Sequence, residues 1–338
     1  MAFSWKMLTF ARMNSCKWLV CCIVVATLLP LGCNNDDDIR KDDVVNDIRL
    51  KVSGWQVLPG TRAATFDNAA ALQSEGTFTC AVYNAETTTS YVSSTAVNWD
   101  GSENEWLFSD GKHYWPIAGS LDFFAYMPAT PPSYITDMSD AASSVTYVAG
   151  DPQFKCVNLP MTPAGQDSSL QEFVYALATG QNKAAQGASG VTLTFQHPFA
   201  RINLQLSASH PDVMINKITF KGIKNNGTYL HSGTPSKWTT TGDATNLVLE
   251  FEGSAAEFYD NDASAPTPIG PAFIMIPQEW KGDIDVEATW DDWGVSLKHT
   301  LSTTVPTVTW EPGRSYTYSF TITQIDLRVD TDKYTEQW

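Results

Sequence analysis

From residue 48 onward, apolar and polar residues alternate with a period of two, or gather in short β-branched and aromatic runs. Such stretches place successive side chains on opposite faces of a strand. They predict strands at Ile48 to Val57, Thr77 to Tyr83, Leu121 to Tyr126, Ser144 to Val148, Phe154 to Leu159 and Phe173 to Ala178. Further strands are predicted at Val191 to Leu206, Ile215 to Ile223, Leu247 to Phe251, Ala272 to Ile276, Ile284 to Trp290, Val295 to Leu301 and Tyr316 to Val329. Gly, Pro, Asn and Asp break the pattern at spacings that suit sandwich turns. Helical signals are confined to Asp67 to Gln73 and Ile135 to Ser143, neither of which sustains a 3.6-residue period over several turns. The expectation is an all-β chain with two sandwiches in series. The boundary is placed in the small, polar stretch Gly180 to Gly190, and no short-period repeat is present.

The first 32 residues follow a different pattern. Lys6, Arg12 and Lys17 precede an apolar run from Trp18 to Leu31, which is shorter than the roughly 20 residues a membrane-crossing helix needs. This is the organisation of a secretory signal. The run ends in Leu28-Leu29-Pro30-Leu31-Gly32-Cys33, similar to a lipobox in which Cys33 is acylated and becomes the new N-terminus; Pro30 departs from that pattern, which usually has Leu there. Asn34-Asn35-Asp36-Asp37-Asp38 follows, an acidic stretch of the kind that directs some outer-membrane lipoproteins to the cell exterior. Residues 33–47 are too polar to bury much surface and are expected to form a flexible tether.

The chain has 338 residues, 43% apolar and 12% aromatic, enough for a large core. Its 21 basic against 37 acidic residues give a net charge of −16, which disfavours nucleic acid as a partner. Cys16, Cys21 and Cys22 lie in the signal, so the folded part keeps only Cys80 and Cys156, as one bridge or as two buried thiols. His113, His197, His210, His231 and His299 never stand at metal-ligand spacing, and no CxxC, HExxH, phosphate-loop or nucleophile-elbow motif occurs. Asp291-Asp292 beside Trp290 and Trp293 is the nearest approach to a sugar-binding patch, while Asp100 to Glu105 and Asp260-Asn261-Asp262 lack the spacing of an EF-hand loop. No metal, no cofactor and no enzymatic activity are expected.

Two groups of residues carry a family resemblance. Glu75-Gly76-Thr77-Phe78-Thr79-Cys80-Ala81-Val82-Tyr83, His113-Tyr114-Trp115-Pro116 and Ser120-Leu121-Asp122-Phe123-Phe124-Ala125-Tyr126-Met127-Pro128 form the first. The second is Phe195-Gln196-His197-Pro198-Phe199-Ala200-Arg201-Ile202, Ile218-Thr219-Phe220-Lys221-Gly222-Ile223, Ile276-Pro277-Gln278 and Trp310-Glu311-Pro312-Gly313-Arg314-Ser315-Tyr316-Thr317-Tyr318. In this order, behind a lipobox, they resemble the N- and C-terminal domains of Bacteroides-type fimbrillins, the subunits of type V pili. The resemblance implies two transthyretin-like sandwiches, 48–182 with its first strand at 48–58 and 191–338, joined by a linker at 183–190. It also implies an outer-membrane, surface-exposed lipoprotein precursor that an Arg-specific protease cuts after the first strand, so that subunits join in a fimbrium by donor-strand exchange. Its partners are then other fimbrial subunits, that protease, the outer membrane through the lipid on Cys33, and a host or bacterial surface ligand.

Arg62, in Pro59-Gly60-Thr61-Arg62-Ala63-Ala64, stands where that cut is expected, between Arg62 and Ala63, in a small-residue stretch a protease can bind in extended form. Arg40 and Arg49 are alternatives, but Arg49 lies within the predicted strand. Ile48, Leu50 and Val52 share one face of that strand, and a phase change at Gly54 brings Trp55 and Val57 to it. Ile325, Leu327 and Val329 repeat the apolar order and spacing near the other end, in the candidate donor strand 324–338. A groove vacated by the first strand could be refilled by such a strand through β-augmentation. The competing reading is a monomeric surface lipoprotein that binds glycans through exposed, coplanar tryptophans.

Overall fold

Two apolar strands explain the architecture of the first half. Leu121-Asp122-Phe123-Phe124-Ala125-Tyr126-Met127 is buried along its whole length, and Thr77-Phe78-Thr79-Cys80-Ala81-Val82-Tyr83-Asn84 is buried except at its ends. Strands covered on both faces carry apolar residues at consecutive positions. Phe78, Cys80, Val82, Leu121, Phe123 and Ala125 point to one core, while Ala81, Tyr83, Phe124 and Tyr126 point to another. Asp122 breaks the apolar run but is satisfied: it accepts from the Tyr147 hydroxyl at 3.0 Å and the Gly180 amide at 2.7 Å.

The computed structural model describes residues 46–53, 73–74, 76–140, 145–161, 172–187, 189–208, 213–234, 237–251, 256–258, 266–270, 272–292, 295–322 and 327–337. Strands β1 (Leu50–Ser53), β4 (Glu105–Phe108), β3 (Ser90–Asp100), β2 (Thr77–Asn84), β5 (Leu121–Met127), β8 (Val174–Gln181) and β9 (Val191–Gln196) neighbour one another in that order and close into a barrel. Beside it, β6 (Ile135–Thr136) and β7 (Gln153–Cys156) join β12 (Asn226–Leu230) and β13 (Trp238–Thr241) in a four-stranded sheet. That sheet covers the outer faces of β2, β5 and β8 with a cluster including Tyr175, Phe154, Tyr229 and Trp238.

The rest of the chain forms a sandwich around a separate core. One sheet holds β16 (Thr267–Pro268), β10 (Ala200–Ala208), β22 (Arg314–Ile322) and β23 (Leu327–Gln337), with β17 (Phe273–Met275) also on β10. The other holds β14 (Thr245–Glu250), β11 (Val213–Ile223), β19 (Asp283–Asp292) and β20 (Val295–Thr304), with β15 (Ala256–Phe258) also on β11. A small ribbon, β18 (Glu279–Trp280) with β21 (Val308–Thr309), stacks Trp280 on Trp310 at 5.4 Å between ring centres. Their indole N–H groups are satisfied by the Lys221 carbonyl and the Tyr318 hydroxyl.

Some local expectations change. Of Ile135 to Ser143, the described part Ile135 to Asp140 is not helical: Ile135 and Met138 are buried from a two-residue strand and the loop after it, so their three-residue spacing reflects a loop folded over a core. Val145 to Val148 is not a strand. The 183–190 segment, expected as a linker, contains a helical turn, Lys183–Gln186, capped by the Asn182 side chain. It connects β8 to β9, so Val191 to Gln196 belongs to the barrel with the strands before it. Of Asp67 to Gln73 only Gln73 is described, and it is helical.

Cys80 and Cys156 are both buried and free. Burial pushes the Cys80 thiol far up and that of Cys156 up to about 12, so neither provides thiolate at neutral pH. In a chain starting at residue 34, alkylation in native buffer is expected to leave both unmodified and in denaturant to modify both. Mass spectrometry reads the difference, and fast native labelling would contradict the buried placement.

Candidate functional site: the strand that closes the barrel

The barrel is closed by β1, whose alternating sequence aims Ile48, Leu50 and Val52 at the interior core and leaves Lys51 exposed. Ile48 and Leu50 are only 6% and 3% exposed, and Val52 is half-buried. A side chain buried this fully contributes about 1.5–3 kcal/mol, so these anchors hold the strand more than its charges do.

The two edges of β1 differ. Toward β9 it pairs in parallel through Leu50 with Val191, Lys51 with Thr192, Val52 with Leu193 and Ser53 with Thr194. The Val191 amide donates to the Arg49 carbonyl at 2.8 Å, and the Ser53 and Thr194 hydroxyls meet at 2.7 Å. Gly190 has a φ of +78°, and a Cβ there would stand 3.1 Å from the Arg49 carbonyl, so glycine lets the two chains approach. Toward β4 the ladder is thin. Leu50 pairs with Trp106, and two backbone bonds follow, from the Ile48 amide to the His113 carbonyl at 2.8 Å and from the Trp115 amide to the Asn46 carbonyl at 3.0 Å. Between these contacts the chain loops through Ser109 to Lys112, and a cavity of about 610 Å³ lies along β1, lined in part by Trp99, Trp106 and Phe108.

Two ion pairs cross this seam. Arg49 reaches Glu105 at 3.3 Å, and Lys112 reaches the mostly buried carboxylate of Asp47 at 2.8 Å. The bond to Asp47 raises the Lys112 pKa above its ordinary value. Arg49 and Glu105 are both substantially exposed, so their pair is worth at most about 1 kcal/mol. Nothing in the sequence marks Asp47, Lys112 or Trp106 as part of this seam, and Glu105 stands out only as the end of the acidic stretch from Asp100. The one available signal was the Glu-Trp-Leu-Phe alternation of β4, but its contact with β1 is 56 residues distant in sequence.

The remaining expected site residues fall in different places. Leu327, in β23, is 4% exposed in the second core, and Val329 packs partly buried against it. Both belong to an edge strand paired with β22, Leu327 opposite Ile322 and Val329 opposite Phe320. Cys33, Trp55, Val57, Arg62, Ala63 and Ile325 lie outside the described residues.

The other candidate chemistry resolves into local structure. Asp100 accepts from the amides of Ser102 and Glu103 and from the Ser102 hydroxyl, which makes it a turn cap. Among the described residues no group of three His, Cys, Asp or Glu is placed to hold a metal. Trp106, Trp115, Trp238, Trp280, Trp290 and Trp310 are buried, and Trp290 stacks on His299 at 3.7 Å, so these indoles fill cores and form no exposed platform. Asp260 to Asp262 lies outside the described residues.

A family model described as fimbrillin-like matches residues 61–338. The chain belongs to the fimbrillin-like family. A fimbrial protein from Bacteroides vulgatus has a similar fold, with a TM-score of 0.60 at 13% identity over 87% of this chain and 99% of that one. A candidate cell adhesion protein from Bacteroides uniformis gives a TM-score of 0.50 at 16% identity over 86% of this chain and 98% of that one. At such identities the likeness is one of fold. Comparison with curated proteins found no match. The family match starts at residue 61, so in this fimbrillin-like chain the barrel-closing strand stands before the matched region.

Proposed function

We propose that this fimbrillin-like protein is a structural or adhesive fimbrial subunit, exported as an outer-membrane lipoprotein precursor through Cys33. An Arg-specific protease cuts between Arg62 and Ala63, β1 leaves with its anchors Ile48, Leu50, Val52, Trp55 and Val57, and a strand from another subunit takes its place. The candidate donor is 324–338, with Ile325, Leu327 and Val329 as anchors. The observation that carries this reading is that one short strand, N-terminal to the residues that the family model matches, buries its apolar face in the barrel core yet is laddered firmly along only one edge. Its loss would expose apolar pockets and a backbone edge that a matched strand can cover.

The reading also has a cost that favours exchange over simple release. Ile48 and Leu50 together stabilise the closed barrel by about 3–6 kcal/mol, so a cut chain keeps β1 until a competing strand arrives. A surface ligand for adhesion belongs to the same reading, and the assembled subunit resides in the fimbrium. No catalytic step is required.

The test is digestion of the exported full-length chain with an Arg-specific protease, followed by mass and size analysis. One cut after Arg62 with growth of a ladder of polymers is expected, and Arg62→Ala should hold the chain as a monomer. A chain that is cut at Arg62 and stays monomeric at high concentration would overturn the proposal.

A further inference from the structure

The ion pairs that flank β1 give the vacated groove a charge pattern as well as an apolar one. Lys112 and Glu105 stand on the wall, and β1 answers them with an acid before its first anchor and a base after it: Asp47-Ile48-Arg49-Leu50. The same order of acid, aliphatic, base and aliphatic recurs once near the other end of the chain, as Asp326-Leu327-Arg328-Val329. In β23 Leu327 is buried, Arg328 exposed, Val329 half-buried and Asp330 exposed, the alternation that β1 has.

We infer that a second copy of this chain enters the groove in the register set by these charges, with Leu327 and Val329 in the places of Ile48 and Leu50. Asp326 then stands at the Asp47 position against Lys112, and Arg328 at the Arg49 position against Glu105. This deepens the donor-strand reading above and rests on it. It differs by two residues from the register that aligns Ile325, Leu327 and Val329 with Ile48, Leu50 and Val52. A shift of two keeps every inward residue inward, so the apolar pattern alone does not choose between the two.

The charges do choose. In the unshifted register Gln324 replaces Asp47, leaving Lys112 without its acid, and Asp326 takes the contact position of Arg49 beside Glu105. In the shifted register both ion pairs are rebuilt. What it gives up is one apolar contact, since Thr331 replaces Val52, and Val52 is only half-buried. Asp330 then replaces Lys51, which is exposed, forms no ion pair among the described residues and lies past the single Leu50–Trp106 pairing. Like charges across neighbouring strands are destabilising and opposite charges stabilising, so register is where modest pairs have their largest effect.

Glu105→Lys and Arg328→Glu separately probe the pairing, and the double variant restores it with the signs exchanged. After Arg-specific cleavage of the full exported chain, each single variant is expected to lower the fraction of polymer surviving a fixed detergent challenge by about fivefold, the scale of one exposed pair. The double variant should return to the unsubstituted level, and urea unfolding of each uncut monomer controls for folding. Polymers that form but show independent, additive losses, or that gain from Glu105→Lys alone, would overturn the register while leaving donor-strand exchange intact. Absence of polymers from the cleaved unsubstituted chain would instead overturn the exchange.

Discussion

Phe154→Ala is expected to lower the unfolding free energy by about 3–5 kcal/mol, the usual cost of emptying an aromatic site in a packed core. Phe154 is fully buried, stacks on Tyr229 at 4.6 Å, and meets Phe173 at 4.9 Å and Trp238 at 5.7 Å edge to face. It sits where β7 pairs with β12, with Phe154 opposite Tyr229, so the cluster ties strands before the barrel's last strand to strands well after it. The walls of this site are rings held by a hydroxyl network, Tyr175 with Tyr229 at 2.6 Å and with His231 at 2.8 Å, so they have little freedom to collapse into the void. Urea unfolding followed by tryptophan fluorescence and far-ultraviolet dichroism is the measurement. One cooperative transition moved to lower urea is expected. A loss below about 1 kcal/mol would show that the four-stranded sheet is not a structural tie.

His197→Ala should be comparably costly, by a different mechanism. His197 lies in the short connection from β9 to β10, and its Nδ1 stands 2.7 Å from the Glu172 carboxylate with both side chains almost wholly buried. Deleting the imidazole leaves that carboxylate in the interior without this partner, and removal of one member of a buried pair costs about 3–5 kcal/mol. The neighbouring bonds make the connection stiff: the Trp238 indole donates to the Pro198 carbonyl at 2.6 Å, and the Gly313 amide donates to the Phe199 carbonyl at 2.8 Å. The destabilisation is measured by urea unfolding. Pairing His197→Ala with Glu172→Leu should recover part of the loss, because two apolar side chains leave no buried polar group without its partner. Equal losses for the single and the double variant would mean that cavity formation, and not the stranded carboxylate, sets the cost.

How much of the fold could be read in advance depended on burial. β2 and β5 were legible as strands because cores on both of their faces demand apolar residues throughout. β3 and β4 were missed: Ser90 to Asp100 is largely polar and β4 has only four residues. The same limit applies to the site. The apolar face of β1 followed from its alternation, but Glu105 and Lys112 acquire a role only when the barrel closes beside them.

Alone, the amino-acid sequence determined the β class of the chain, the faces that Ile48, Leu50 and Val52 bury, and the fimbrillin-like family itself. The tertiary structure decided which edges meet: β1 between β4 and β9, β7 beside β12, and the last strand of the barrel beyond the polar stretch expected to end it. The physical reason is that a period of two states which side of a strand is apolar, whereas backbone donors and acceptors are the same on every strand. Neighbours are therefore selected by barrel closure, by the volumes that fill each core and by the few charges facing one another across a seam.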